Sequence, residues 1–354
     1  MSVATATAFR TAELVPLFRR MFELCKLKAT ESLVILTEPD TNQEYAAAMY
    51  GAARGLGADT MTVMMPSAPA EQVPVMRSGN VSSAILSKST LAVDTLKRAD
   101  MVIDLSSGGL LHSKEQREIL GAGTRILMVH DPVEALERLF PTVEDRTRVE
   151  RGMERLKKTK KIRLESDSGT KVWFDMTGRP VIGQYGYTDE PGRWDHWPGA
   201  FQYTIPNEGI GDGVLVMDPG DIWYPAKRFL TTPVKMHFEK GAVTSIEGGY
   251  DAFMIKDYID GWKDAEGYAI SHLGWGSHPR ALWNSLAFQD PLDVIGQDGR
   301  TMYGTTLIAL GENATFGGKH TTGCHQDFAL RRHRFFLDDE LIADNGKIIP
   351  ADLK

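Results

Sequence analysis

Histidine is unevenly spread along this chain: five of its nine fall between His272 and His333, in a stretch dense in glycine. Within that stretch, His325-Gln326-Asp327 sets an imidazole and a carboxylate two residues apart. In a strand, residues two apart point to the same face, so both side chains can meet one ion. A further histidine would complete a face of two imidazoles and one carboxylate. That face leaves positions open for substrate and O2 and is the pattern of non-haem iron(II) oxygenases. Spacing leaves His272, His278 and His320 open as the third ligand. Against this stands a plainer reading, because His-x-Asp triplets are frequent by chance and most are surface or capping residues.

Two histidines outside that stretch carry possible roles. His112 ends Ser106-Ser107-Gly108-Gly109-Leu110-Leu111-His112, just past an apolar run at Met101–Leu105. Loops at the carboxyl ends of strands form the crevice of open α/β sheets, although local sequence alone prefers His112 as the cap of a helix starting at Ser113. His196 lies in Arg193-Trp194-Asp195-His196-Trp197-Pro198. Two tryptophans and a histidine suit a flat aromatic substrate that needs stacking surface and one titratable partner. The plainer alternative is a packed loop with a solvated His196. Arg54-Gly55-Leu56-Gly57 is no dinucleotide fingerprint, since the third glycine is missing and a helix precedes it. The basic run Lys157–Lys161 reads as the C-terminal end of a helix. Cys324 has no sequence neighbour that would activate it and reads as small packing.

The elements that must position these residues fall into two kinds. In the first half, Leu33–Leu36, Met61–Met65, Met101–Leu105 and Ile126–Val129 read as buried strands, with a helix at Gln43–Gly55. Strands alternating with helices imply βαβ units and a mostly parallel sheet. Asp131-Pro132-Val133-Glu134 has the form of a helix start with Asp131 as N-cap. Val149, Met153 and Leu156 mark the apolar stripe of a charged helix ending near Lys161. All seven tryptophans lie from Trp173 to Trp283, where turn signals recur at Thr177-Gly178, Gly211-Asp212-Gly213, Pro219-Gly220 and Lys240-Gly241. This predicts an antiparallel, β-rich domain beginning near Glu165. Asn345-Gly346 between two apolar pairs predicts a hairpin close to the C-terminus. The expected fold is therefore an α/β domain over residues 1–165 and a β-rich (α+β) domain over 166–354 that carries the metal site.

Composition narrows the class. A chain of 354 residues has room for two domains, and 42% apolar with 25% charged residues is ordinary for a globular protein. A formal charge of -7 argues against nucleic acid as a partner. Two cysteines without a Cys-x-x-Cys pair point to a reducing compartment. The first residues lack a basic leader followed by an apolar stretch, and no window reaches the roughly 18 apolar residues that span a bilayer. The expectation is a cytoplasmic protein with no membrane partner.

The runs Ile270-Ser271-His272-Leu273-Gly274-Trp275-Gly276-Ser277-His278-Pro279, Ile308-Ala309-Leu310-Gly311, Gly317-Gly318 and His325-Gln326-Asp327 resemble the 2,5-dihydroxypyridine 5,6-dioxygenase family, itself similar to the thermophilic metallo-aminopeptidases. The likeness runs through most of the chain, with its specific motifs in residues 270–330. It implies Fe(2+) ligands at His272, His325 and Asp327, and leaves His278 and His320 structural or behind the ligands. It also implies a catalytic or gating His112 with Leu111 beside it on the substrate, and a substrate-contacting His196. Where the aminopeptidases carry metal carboxylates, this chain has His272 and Glu208, and where they carry another metal histidine it has Leu307. Exchanging a carboxylate for imidazole and losing a ligand favours one iron over a pair of hard ions. Glu208 is then an acid behind the ligands or a turn residue.

The implied reaction is O2-dependent cleavage of 2,5-dihydroxypyridine to N-formylmaleamic acid, in nicotinate-type catabolism, by an enzyme expected to be a homo-oligomer. His112 or His196 would be the base, since imidazole titrates near neutral pH. Two other classes remain at this point: a dinuclear metallo-aminopeptidase and a metal-binding module without activity.

Overall fold

The computed structural model describes residues 3–66, 86–106, 110–111, 113–224, 226–291 and 294–354. Contacts divide the chain into two compact units, one of Met1–His130 with Gly186–Trp197 and one of Asp131–Tyr185 with Pro198–Lys354. Residues 131–165 thus pack in the second unit and 186–197 in the first, so the units interleave where composition suggested a single border.

The first unit is built on β1 (Ser32–Thr37), β2 (Asp59–Met64), β3 (Met101–Asp104), β4 (Arg125–Val129) and β8 (Trp194–Trp197). They form one sheet in the order β2-β1-β3-β4-β8, with every pair parallel. β1, β3 and β4 are almost wholly buried, as inner strands of a parallel sheet covered by helices should be. The helix Gln43–Gly55 has the expected bounds, and its N-cap Asn42 accepts a hydrogen bond from the amide of Tyr45. The last strand was not expected: the Trp194–Trp197 segment is no aromatic loop but an edge strand, and His196 pairs with Met128.

The second unit carries two sheets. The first joins β5 (Lys161–Glu165), β6 (Lys171–Asp175), β10 (Gly211–Met217), β13 (Val234–Glu239), β14 (Ala242–Gly248), β18 (Arg334–Leu337), β19 (Glu340–Asp344) and β20 (Lys347–Ile348) in the order β14-β13-β10-β6-β5-β18-β19-β20. The other joins β7 (Val181–Gln184), β9 (Phe201–Thr204), β11 (Ile222–Trp223), β12 (Arg228–Phe229), β15 (Ile270–Gly276), β16 (Thr306–Gly311) and β17 (His325–Leu330) in the order β12-β11-β17-β16-β15-β9-β7. All pairs in both are antiparallel. The Asn345-Gly346 hairpin forms between β19 and β20 as expected. Gly211-Asp212-Gly213 is not a turn: these residues lie in β10 and pair with Val172–Phe174 of β6.

The main core joins the facing sides of these two sheets. Leu164, Phe174, Leu215 and Met236 come from one sheet, and Ile308, Leu310, Phe328 and Leu330 from the other. Each such side chain contributes on the order of 1.5–3 kcal/mol by leaving water. Because strand side chains alternate, the odd-numbered neighbours on β16 and β17 must face the opposite way. Leu307 and Ala329 do so, joining a second cluster with Phe201, Tyr203 and Tyr224. This second face of the seven-stranded sheet is where the candidate site is built.

The two helix predictions need adjustment. The helix beginning at Val133 has Pro132, not Asp131, at its N-cap and no side-chain cap bond. Asp131 instead accepts from the amide of Gly296 at 2.9 Å. The charged helix runs Val143–Lys158, three residues short of Lys161, with a capping box between Thr142 and Asp145 and basic residues in its last turn. Among the described residues no helix is long and apolar enough to cross a membrane.

Candidate metal centre

His325 and Asp327 both lie on β17 and face away from the main core, as a two-residue spacing in a strand requires. His272 comes from β15, with β16 running between the two. Simple alternation would put His272 on the same side as Ile270. It does not, because the β15–β16 register shifts between Ile270 and Leu273. Ile270, Leu273 and Trp275 all enter the main core, and three- and five-residue separations can share a face only if one extra residue is accommodated. The bulge therefore turns His272 to the site face, a known use of such irregularities.

On the middle strand the residue between the ligand columns is Ala309, which pairs directly with Asp327. With only a methyl group there, side chains from the flanking strands can lean together over β16. The Nε2 atoms of His272 and His325 stand 3.4 and 3.5 Å from Asp327 Oδ1. The two imidazole rings are stacked with centroids 5.3 Å apart. One donor atom from each of the three residues lies within 4.8 Å of the others.

The surroundings fix each donor. His325 Nδ1 donates to the carbonyl of Glu312 at 3.1 Å, which leaves its Nε2 lone pair for the site. The hydroxyl of Ser271, inside the bulge, donates to that same carbonyl at 2.5 Å, so one backbone oxygen ties both histidine-bearing strands. Gly311, just before Glu312, has φ of 95°, and a Cβ there would stand 1.9 Å from the carbonyl oxygen of Cys324, so only glycine fits. His272 is walled by Tyr203, Phe201 and Phe316, with ring centroids 4.9, 6.4 and 6.0 Å away. Arg300 donates through Nε to Asp327 Oδ2 at 2.8 Å. Burial opposes the charge on Asp327, but Arg300, His325 and His272 together hold its carboxyl well below the usual carboxylate range.

This donor set fits a divalent ion. Ligand atoms about 2.0–2.2 Å from a metal and about 90–110° apart stand roughly 3.0–3.5 Å from one another, which matches the two imidazole–carboxylate separations of 3.4 and 3.5 Å. Without an ion the same contacts are too long for good hydrogen bonds, and the buried Oδ1 of Asp327 makes none.

The remaining candidates lie elsewhere. His278 accepts from the amide of Arg280 through Nδ1 and faces the carbonyl of Leu139 through Nε2, both at 3.3 Å. Burial depresses its pKa to about 4. His320 sits 3.7 Å from Glu266. Glu208 accepts from the amide of Lys319 at 3.0 Å and pairs with Arg179, so it serves a turn. Cys324 is a buried free thiol, as expected. His196 is buried on β8 with its ring centroid 6.1 Å from that of His130. Leu111 is half-buried in a turn. His112 lies outside the described residues, but the helix Lys114–Gly121 is capped by Ser113, whose hydroxyl accepts from the amide of Gln116. Sequence reasoning missed Arg300 and Ala309: the register of β16 and β17 reveals Ala309, and the buried helix Gln297–Thr301 brings Arg300 to Asp327.

Fold and site together define a class: a mixed α/β protein with one parallel and two antiparallel sheets, one of which gathers two imidazoles and a carboxylate suited to a single divalent ion. Comparison with known proteins makes the assignment specific. The chain belongs to the 2,5-dihydroxypyridine 5,6-dioxygenase (NicX) family, whose model matches residues 13–350. It is 36% identical over 345 residues to the 2,5-dihydroxypyridine 5,6-dioxygenase of Pseudomonas putida strain KT2440, covering 96% of this chain and 97% of that protein. The solved structure of 2,5-dihydroxypyridine dioxygenase from the same organism superposes with a TM-score of 0.92 at 35% identity, over 97% of this chain and 99% of that one. Wild-type AmpT from Thermus thermophilus shares the fold at a TM-score of 0.61 and 11% identity, over 95% of this chain and 100% of its own. The chain is thus an oxidoreductase of the dioxygenase type, and the aminopeptidase alternative is set aside.

Proposed function

We propose that this enzyme opens 2,5-dihydroxypyridine between C5 and C6, placing both atoms of O2 in the product N-formylmaleamic acid, with one iron(II) held by His272, His325 and Asp327. The observation that carries the metal assignment is the convergence of these three donors at metal-ligand spacing on one sheet face. Two imidazoles to one carboxylate suit iron better than the hard ions of hydrolases. Iron(II) in this site would supply the electron exchange that lets triplet O2 react with a singlet ring.

The protein's own groups supply the rest. The two ring hydroxyls are too far apart to grip one ion together, so the ring must be oriented by side chains, and Leu111 and His196 are assigned to that task. His112 or His196 takes the proton of a ring hydroxyl, which raises ring electron density for attack on oxygen. The Glu312 carbonyl holds His325 in the tautomer that presents Nε2, and Arg300 keeps Asp327 ionised. The three metal donors lie in the β-rich part of the chain beyond residue 165. The same reading places the enzyme in the cytoplasm, in the breakdown of nicotinate-type rings, as a homo-oligomer.

The test is O2 uptake with 2,5-dihydroxypyridine after anaerobic loading with iron(II). One iron per chain is expected. Alanine at His272, His325 or Asp327 should abolish iron retention and uptake while the far-UV spectrum stays that of the parent. Two ions per chain, or an alanine variant that retains iron, would overturn the assignment.

A further inference from the structure

Arg300 grips the metal-facing carboxylate from behind. Its Nε donates to Asp327 Oδ2 at 2.8 Å while a second nitrogen, Nη1, donates to the carbonyl of Ile295 at 2.5 Å. Its guanidinium carbon lies 3.6 Å from the centroid of the Tyr224 ring, a close cation–π contact. That ring is itself tied to the same ligand, because the amide of Tyr224 donates to the backbone carbonyl of Asp327 at 3.0 Å. Space for the ring is made by Gly299, where a Cβ would stand 2.3 Å from the Tyr224 hydroxyl oxygen. The five residues Gln297–Thr301 that carry Arg300 are all buried. Arginine is thus fixed on three sides, by a carboxylate oxygen, a carbonyl and an aromatic face, and a planar fork is the side chain that can satisfy all three.

A carboxylate can bind a metal through one oxygen or two. Here Oδ1 faces both imidazoles, and Oδ2 is engaged by Arg300. We propose that Arg300 is a positioning residue that keeps Asp327 a one-oxygen donor, so that one more place at the metal stays open to substrate and O2. The inference rests on His272, His325 and Asp327 being the ligands. Neutralising Asp327 would need only a positive charge nearby. Holding Oδ2 away requires a directed bond, and the two roles separate experimentally.

The measurement uses Mn(II)-loaded, substrate-free protein in ¹⁷O-enriched water, with bound waters counted by pulsed EPR. Arg300→Gln should bind one water fewer than the parent, because the freed Oδ2 takes its place. Its Mn(II) affinity should be at or above the parent's, since the site gains an oxygen donor and loses a neighbouring cation. A folded Arg300→Gln protein with the parent's water count, or with binding weakened tenfold, would overturn the proposal. Should that variant fail to fold, a crystal structure of the Mn(II)-loaded parent decides: Asp327 bonded through Oδ1 alone, with Arg300 on Oδ2, supports it, and bonding through both oxygens refutes it. Asp327→Ala is the separate control. If it retains Mn(II) like the parent, the ligand assignment itself fails, whatever Arg300 does.

Discussion

Ala309 is the residue on which the geometry of the proposed metal centre turns, and Ala309→Leu tests that directly. Ala309 pairs with Asp327 on one side and lies opposite the bulge that carries His272 on the other. The 3.4 Å approach of His272 Nε2 to Asp327 Oδ1 therefore passes over its methyl group. Leucine and aspartate branch at the same carbon, so the δ carbons of the introduced side chain would rise from the sheet as far as the carboxylate oxygens of Asp327 do. They would occupy the space where the donors converge. Overpacking a buried position costs about 1–3 kcal/mol of stability. The effect on metal should be larger in proportion. Disturbing a group behind a ligand costs about 10–100-fold in affinity, and wedging the ligands apart should reach at least the upper figure, about 2.7 kcal/mol. Ala309→Gly is the matched control: it removes the methyl without blocking anything, costs about 0.5–1 kcal/mol of stability, and should bind metal within a few-fold of the parent. Chelator competition gives affinity and urea unfolding gives stability. If the leucine protein is folded and binds metal like the parent, the ligands do not meet over β16 and the construction fails.

Two further outcomes are expected. Burial holds His278 and His333 at a pKa of about 4, against 6.5 for free imidazole. Below pH 6.5 the unfolded chain takes up protons that the native state refuses, so stability should fall from pH 6.5 to about 4 and level off below. Each histidine contributes on the order of 3 kcal/mol to that loss. His278→Gln, which can still accept from Arg280 and donate to Leu139, should remove about half of the effect in urea unfolding, and an unchanged pH profile would refute the assignment. For the proposed base, asparagine at His112 or His196 should leave iron in place yet lower turnover by about two to four orders of magnitude and flatten the acid limb of the rate profile. Parent-like turnover in both variants would leave ring deprotonation to another group.

Local pattern made much of the scaffold legible. The strands at Leu33–Leu36 and Ile126–Val129 are continuous apolar runs, and the helix at Gln43–Gly55 has both its start and its glycine-rich end in the sequence. The pairing of His325 with Asp327 needed only the period of a strand. Other features depend on distant partners. Trp194–Trp197 becomes a strand because Ile126–Val129 has an open edge to accept it, more than sixty residues earlier in the chain. Asp131 sits in a cap signature, yet its carboxylate serves Gly296 instead. The bulge in β15 is visible only when Ile270, Leu273 and Trp275 are seen in one core. His272 could not be singled out by spacing for that reason, and resemblance to a family had to supply it.

The histidine-rich stretch 272–333 holds the cluster of His272, His325 and Asp327, and what suits His325 to bind an ion is how its nitrogens are engaged. A ligand imidazole needs one nitrogen held by an acceptor and the other presenting its lone pair to the ion. His325 meets this, with Nδ1–H on the Glu312 carbonyl and Nε2 toward Asp327. His278 is more deeply buried and only six residues from His272, yet its Nδ1 lone pair accepts the Arg280 amide and its Nε2 faces a carbonyl, so no lone pair remains. The bulge, more than residue type, therefore decides which histidine joins the cluster. Ser271 bonds the same carbonyl that orients His325, so the distortion that turns His272 to the site also helps to fix His325 across the middle strand.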